Sequence, residues 1–226
     1  MDLQDLGHLS YTQAWKLQEA AHEQVLAGGA EQIFLVEHPP VITYGRRPGV
    51  DKHLLASAKQ LNQLGVEIVQ SDRGGDITFH GPGQLVVYPI IRLADHRLSV
   101  SGYVHLLEGI IIEALAAFGV PGNTEPAAVG VWTASQNCSP AKVCAIGVRI
   151  RRGVTLHGLA LNVTTDLRYF DLIVPCGLAN RPVTSLQKLL GDSAPGMPRV
   201  KAVLTDLLLK KFAAPLLNPM RAGHNG

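Results

Sequence analysis

The run Gly83–Ile91, read GQLVVYPII, is apolar nearly throughout. A strand with one face in water alternates apolar and polar residues. A strand without alternation is buried on both faces. The rest of the chain supplies elements to cover it. "IFLVEH" and "VITYG", parted by Pro39-Pro40, and then "VEIVQS" read as strands upstream. A long helix follows over Ser101 to Phe118, with Val104, Leu107, Ile110, Ile111 and Leu115 on its core face and Gly119 as its stop. "GVW", "KVCAIGVRI" and "GVTLHGLALNV" read as three more strands, the last two a hairpin through Arg151-Arg152-Gly153.

Helices flank this series. Ser10 to Leu26 has capping-box spacing at Ser10 and Gln13 and ends at Gly28-Gly29. "HLLASAKQLNQLG" reads as a helix, as do Ser185 to Leu190 and Arg199 to Phe212. Thr164 to Val183 has no clear periodicity. No repeat or linker divides the chain, so one domain over 1–226 is expected, with a flexible tail from about residue 213. Strands before and after a long helix, mostly in hairpin order, predict an α+β fold with a mixed sheet.

Hydrophobic residues make up 46% of the chain and charged residues 17%, ample for a core. A formal charge of +2 argues against a nucleic-acid partner. The one basic cluster, Arg149, Arg151 and Arg152, is short; it suits either a solvated hairpin tip or an acidic partner. The N-terminus lacks the pattern of a secretory signal, and no apolar run has the length of a membrane span. Three cysteines in a chain of this size make no disulfide framework. A cytoplasmic monomer with reduced thiols is the expectation.

The stretch Arg73–Gln84, RGGDITFHGPGQ, holds more glycine than a hairpin requires. With Ile77 and Phe79 toward the core, Asp76, Thr78 and His80 share the opposite face. Such a wall offers polar side chains and bare backbone to a thin substrate. The plain alternative is a glycine-rich hairpin carrying a surface Arg and His. Neither GxxxxGK[ST] nor GxGxxG is present.

Of the thiols, Cys144 lies within an apolar strand and reads as inert, and Cys138 lies in a polar loop. Cys176, in "IVPCGLAN", is the nucleophile candidate: it is flanked by Pro175 and Gly177 in a loop. A nearby ammonium favours a thiolate. Lys142 stands at the start of an apolar strand, where partial desolvation would let it take and return a proton; an ordinary strand-end lysine is the alternative. His157 is a second candidate base, or a hydrogen-bonded core residue. The Cys and His spacings fit no zinc pattern.

Together, "SDRGGDITFHGPGQLVVYP", "KVCAIGVRIRRGVTLHGLALNV" and "VPCGL" resemble the lipoyl(octanoyl) transferases, in the same order from about Phe34 to Leu178. The resemblance implies the fold of lipoate and biotin protein ligase catalytic domains: a larger mixed sheet, a smaller sheet and flanking helices. It implies an acyltransferase that moves an octanoyl group from acyl carrier protein to a lysine of lipoyl domains. Those domains belong to 2-oxoacid dehydrogenase complexes and the glycine cleavage H protein. No cofactor, ATP or metal is implied.

Residue by residue, Cys176 matches the family's acyl-thioester cysteine, and Lys142 the partner that lowers the thiol's pKa. Arg73, Gly74, Gly75, Asp76, Ile77, Thr78, Phe79 and His80 match a first substrate-binding segment. Ala145, Ile146 and Gly147 match a second, and Gly158, Leu159 and Ala160 a third. The glycines would let an acyl chain and a lysyl arm lie close to backbone, with Val131, Ile146, Leu159 and Leu161 as apolar walls. One departure is Thr133 to Pro140, longer and more polar than the family's turn. Three other readings remain: an ATP-dependent lipoate ligase of the same fold class, a thiol hydrolase using Cys176 and His157, and a non-catalytic carrier.

Overall fold

The structure is a computed structural model that describes residues 1–126, 128–134, 140–174 and 181–213. Its strands in chain order are β1 (Asp2–His8), β2 (Gln32–Glu37), β3 (Val41–Tyr44), β4 (Glu67–Gln70), β5 (Thr78–His80), β6 (Gln84–Ile90), β7 (Asn123–Glu125), β8 (Ala128–Ala134), β9 (Pro140–Arg151) and β10 (Val154–Asn162). Its α-helices are α1 (Tyr11–Leu26), α2 (Ala58–Gln63), α3 (Val100–Ala116), α4 (Leu186–Leu190) and α5 (Met197–Ala213).

Among the described residues, a seven-stranded sheet runs β1-β2-β6-β10-β9-β8-β7 and a three-stranded sheet runs β4-β3-β5. Both are mixed: β1 and β2 pair in parallel, as do β3 and β4, while the remaining neighbours are antiparallel. All seven residues of β6 are buried, which is why its sequence does not alternate. Leu85 and Val87 join a core with Leu107 and Ile111 of α3 and Leu204 and Leu208 of α5. Val86 and Tyr88 point the other way, to Ala14, Ala21 and Val25 of α1. A third cluster joins Ile42, Ile77 and Phe79 of the small-sheet region to Leu61 of α2 and to Phe170 and Leu172.

Capping fixes the helix ends. Ser10, Ser57, Ser99 and Ser185 each accept a hydrogen bond from a backbone N–H in the first turn of the helix that follows. The β9–β10 hairpin turns at Arg152 (φ 50°) and Gly153 (φ 81°), two positive φ values as a tight primed turn requires.

Four expectations change. β1 was not foreseen; its polar residues are mostly exposed, and backbone pairing with β2 holds it at the sheet edge. The short strand β7 was likewise missed. "HLLASAKQLNQLG" is helical only over Ala58–Gln63, because Leu55 and Ala56 give their N–H groups to the Leu172 carbonyl and Leu54 bridges Ile173. Within the aperiodic segment, Leu167–Leu172 forms a 3-10 helix capped by Asp166. The predicted tail lies outside the described residues beyond Ala213. Among the described residues no helix is long and apolar enough to cross a membrane.

Candidate active site

The loop before β5 crosses the large sheet at β9. Gly74 N–H donates to the Val148 carbonyl at 3.0 Å. A Cβ on Gly74 would stand 2.9 Å from that oxygen, and one on Gly147 would stand 3.0 Å from the Gly74 carbonyl. Across the small sheet, a Cβ on Gly45 would stand only 2.2 Å from the Gly75 carbonyl. These glycines serve contacts within the protein, backbone against backbone. Gly74, Gly75 and Gly147 also line the cavity described below.

Arg73 turns inward instead of lying on the surface. Its guanidinium donates to the Thr43 carbonyl at 2.7 Å, to Thr43 Oγ1 and to the Gly74 carbonyl at 3.1 Å. Asp76 is buried and accepts from His53 Nδ1 at 2.7 Å, from the Ile77 N–H at 2.7 Å and from Arg47 at 3.4 Å. His53 and Arg47 escaped the sequence reading. The only signal was Arg46-Arg47 immediately after a strand.

β5 divides its side chains as alternation requires. Phe79 stacks on Tyr169 with ring centroids 4.7 Å apart, within the third core cluster. Thr78 and His80 face a cavity of about 440 Å³. That cavity is lined by every residue of the first predicted segment except Phe79, and by all of Ala145–Gly147 and Gly158–Ala160. Lys142, Val129, Val104 and Arg47 line it too. Three segments far apart in sequence therefore meet around one space, of a size typical for small-molecule sites. Val131 and Leu161, predicted as walls, are fully buried in the core under α3; both pair across the sheet with Cys144. Ile146 and Leu159 line the cavity, and Leu159 also belongs to that core. Val104 is the reverse case, a predicted core residue that reaches the cavity.

A buried group of rings forms one side of the site. The Tyr11 ring is nearly parallel to those of His80 and His157, at centroid distances of 5.8 and 6.5 Å. His80 Nδ1 donates to Gln84 Oε1 at 2.7 Å, since the Gln84 amide N–H groups go to the Phe79 carbonyl and Asn162 Oδ1. His38 Nδ1 donates to the Leu9 carbonyl, leaving Nε2 to accept from the Tyr88 hydroxyl at 2.8 Å. Burial lowers the pKa of His38 to about 4 and that of His80 to about 3, where His38 and Arg73 add repulsion. Burial also lowers that of His157, although its Nε2–H donates to Asp72 at 2.6 Å. Both His157 ring nitrogens are engaged, Nδ1 with the Tyr11 hydroxyl, so it is built as a core histidine.

Lys142 is 7% exposed. Its Nζ donates to the Val129 carbonyl at 3.0 Å and lies 4.8 Å from the Trp132 ring centroid. Arg181 faces the same ring at 5.1 Å and pairs with Glu125 at 3.1 Å. The Lys142 backbone is bridged in parallel to Val183: its N–H donates to the Pro182 carbonyl, and its carbonyl accepts from the Thr184 N–H, each at 2.9 Å.

Cys176 and Cys138 lie outside the described residues. In sequence, the described residues that flank the segment holding Cys176 are Val174, whose N–H donates to the His53 carbonyl at 2.8 Å, and Arg181. Cys144 is fully buried, and burial pushes its pKa up to about 12, so it is inert. Of the basic cluster, Arg149 pairs with Asp72, and Arg151 and Arg152 pair with Glu23. Among the described residues no three His, Cys, Asp or Glu side chains converge to hold a metal ion.

The chain is similar in sequence to several octanoyltransferases. The chain is 46% identical over 210 residues to an octanoyltransferase from Chloroflexus aurantiacus, covering 92% of each. It is 47% identical over 192 residues to one from Koribacter versatilis, covering 84% of this chain and 75% of the relative. It is 43% identical over 211 residues to one from Nitratidesulfovibrio vulgaris, covering 93% and 94%. Among solved structures, lipoate-protein ligase A bound with ATP superposes with a TM-score of 0.77, covering 94% of this chain and 85% of that one. The biotin protein ligase from Aquifex aeolicus superposes with a TM-score of 0.57, covering 94% and 70%. At 14% and 12% identity these two likenesses speak for the fold, as expected from the sequence. Residues 10–209 match the lipoyl protein ligase A/B catalytic domain, and the chain belongs to that family.

Proposed function

We propose that this protein is an octanoyltransferase, which moves an octanoyl group from acyl carrier protein to a lysine of lipoyl domains through a thioester on Cys176. The observation that carries the reading is identity of 43–47% with octanoyltransferases over most of the chain. The cavity supports it: an acyl chain fits a space with Ile146 and Leu159 as walls and a buried lysine on its lining.

In the first step the Cys176 thiolate attacks the carbonyl carbon of the carrier-bound octanoyl thioester. The new sulfur–carbon bond forms as the carrier's sulfur leaves, and that thiolate takes a proton from Lys142. In the second step the acceptor lysine, as the free amine, attacks octanoyl-Cys176. Neutral Lys142 takes the proton that the amine nitrogen must lose, and Cys176 leaves as thiolate. Thioester exchange is close to isoenergetic and amide formation is downhill, so no ATP is consumed. Burial of the eight-carbon tail contributes several kcal/mol at about 0.8 kcal/mol per methylene.

The test is transfer from octanoyl carrier protein to a lipoyl domain with and without ATP. The proposal expects full transfer without ATP and none by Cys176→Ser. A ligase would need ATP, accept free octanoate and survive that substitution. A Cys176–His157 hydrolase would release octanoate and tolerate Lys142→Ala. The engagement of both His157 ring nitrogens counts against that last reading.

A further inference from the structure

Glu108 plays no part in the mechanism above, yet it is a buried carboxylate on α3, 4% exposed. One of its oxygens accepts the Gly130 N–H at 3.1 Å; the other accepts from His105 Nδ1 at 3.1 Å. Gly130 N–H and the Val129 carbonyl belong to one peptide group, and that carbonyl accepts from Lys142 Nζ at 3.0 Å. The order is therefore carboxylate, N–H, C=O, ammonium, with a single peptide plane in the middle.

Among the described residues, neither the β7–β8 nor the β8–β9 pairing has a row at Val129 or Gly130. β7 pairs with β8 at Thr124↔Val131 and then at Glu125↔Ala128, so Val129 and Gly130 fall in a bulge between the two rows. Gly130 sits at φ +123°, open to glycine and closed to other residues. A peptide beside such a glycine can also turn over, at little backbone cost. The turned-over form would aim an N–H at Lys142 and leave the Glu108 carboxylate without its donor. The Glu108 carboxylate can accept from this peptide only in the observed form.

We infer that Glu108 is a positioning residue for Lys142: by holding the Gly130 N–H it orients the Val129–Gly130 peptide so that the Val129 carbonyl fixes the lysine. The role assigned to Lys142 rests on the octanoyltransferase reading, but the orientation does not. The required property of Glu108 is an acceptor of the right reach. Glu108→Gln retains it and Glu108→Leu removes it at similar size.

The experiment uses two readouts that need no turnover, on the full chain and both variants. One is hydrogen exchange at the Gly130 amide. The other is the rate at which an acetylating amine reagent labels Lys142, read by peptide mass spectrometry. The wild type and Glu108→Gln should show a protected Gly130 amide and slow labelling. Glu108→Leu should lose the protection and label roughly tenfold faster. Its kcat should fall roughly 10- to 100-fold per folded molecule, with KM little changed, as expected of a displaced reacting group. A merely structural role would lower melting temperature alone. An unprotected Gly130 amide in the wild type, or unchanged Lys142 labelling in Glu108→Leu, overturns the inference even if octanoyl transfer is confirmed. So does a Glu108→Gln variant that behaves like Glu108→Leu. Should the wild type transfer no octanoyl group, the exchange and labelling results still decide the orientation.

Discussion

Lys142 and Val183 are bridged in parallel through their backbones, with hydrogen bonds of 2.9 Å on either side of the pair. The bridge ties a strand of the large sheet to the chain that follows the segment holding Cys176. On the other side of that segment, Val174 is tied to His53, which in turn holds Asp76 of the cavity. Both described ends are held by backbone bonds, and on the Val174 side the link on to the cavity runs through the His53 and Asp76 side chains.

Trp132 lies beneath both Lys142 and Arg181, and its indole N–H donates to the Ala128 carbonyl at 2.9 Å. Trp132→Leu should destabilise the protein by about 2–4 kcal/mol, as for other large-to-small core changes. It should also lower kcat about tenfold, because a cation–π contact worth roughly 1–2 kcal/mol when desolvated is lost. Chemical denaturation and steady-state kinetics at a temperature well below melting check the two effects separately.

Gly45 carries a similar constraint in backbone form. Its Cβ would fall 2.2 Å from the Gly75 carbonyl, so Gly45→Ala forces the loop around Gly75 away from β3. The expected cost is about 1–3 kcal/mol, with a raised KM for the acyl donor. Gly65→Ala serves as a control: its Cβ meets nothing within 4 Å, although its φ of +64° adds strain. It should cost only about 1 kcal/mol and leave KM unchanged.

How far the sequence revealed this site can be read from single residues. The segments Arg73–His80, Ala145–Gly147 and Gly158–Ala160 were legible as a family pattern, and all but Phe79 reach the cavity. The close backbone contacts of the glycines were not legible, because their partners, such as Val148 for Gly74, are brought by a second sheet. β6 declared itself through unbroken apolarity. β1 did not, because a polar edge strand held by its backbone leaves no period in the side chains. Val131 and Leu161 were misplaced since a residue's side of the sheet follows from register, here the shared row at Cys144. Glu108 was not singled out in the sequence, and only the folded chain brings it to Gly130.

The histidines make stability depend on pH. Burial holds His38 near 4 and His80 near 3, against 6.5 for a free imidazole. A depressed histidine stays neutral in the folded state while the unfolded chain takes up the proton. Its stabilising contribution is thus complete above about pH 6.5 and is lost as pH falls from there towards the folded value. At pH 5 the loss is roughly 2 kcal/mol for each histidine. Urea unfolding at pH 7.5 and pH 5 should show the drop. His80→Gln, which cannot titrate, should have a shallower dependence; an equal slope would contradict the burial argument.

Lys142→Ala should lower transfer by at least about 100-fold, the range for loss of a general acid–base group, while Cys176 remains available for slow acylation. Dosing the variant with a small primary amine measures partial recovery of rate.

The most direct measurement is intact and peptide mass spectrometry of the wild type after incubation with octanoyl carrier protein and no acceptor. The account predicts one octanoyl group per chain, on the peptide bearing Cys176, discharged when a lipoyl domain is added. A chain that stays unmodified while transferring octanoate at full rate, or one that carries the group on another residue, would contradict it.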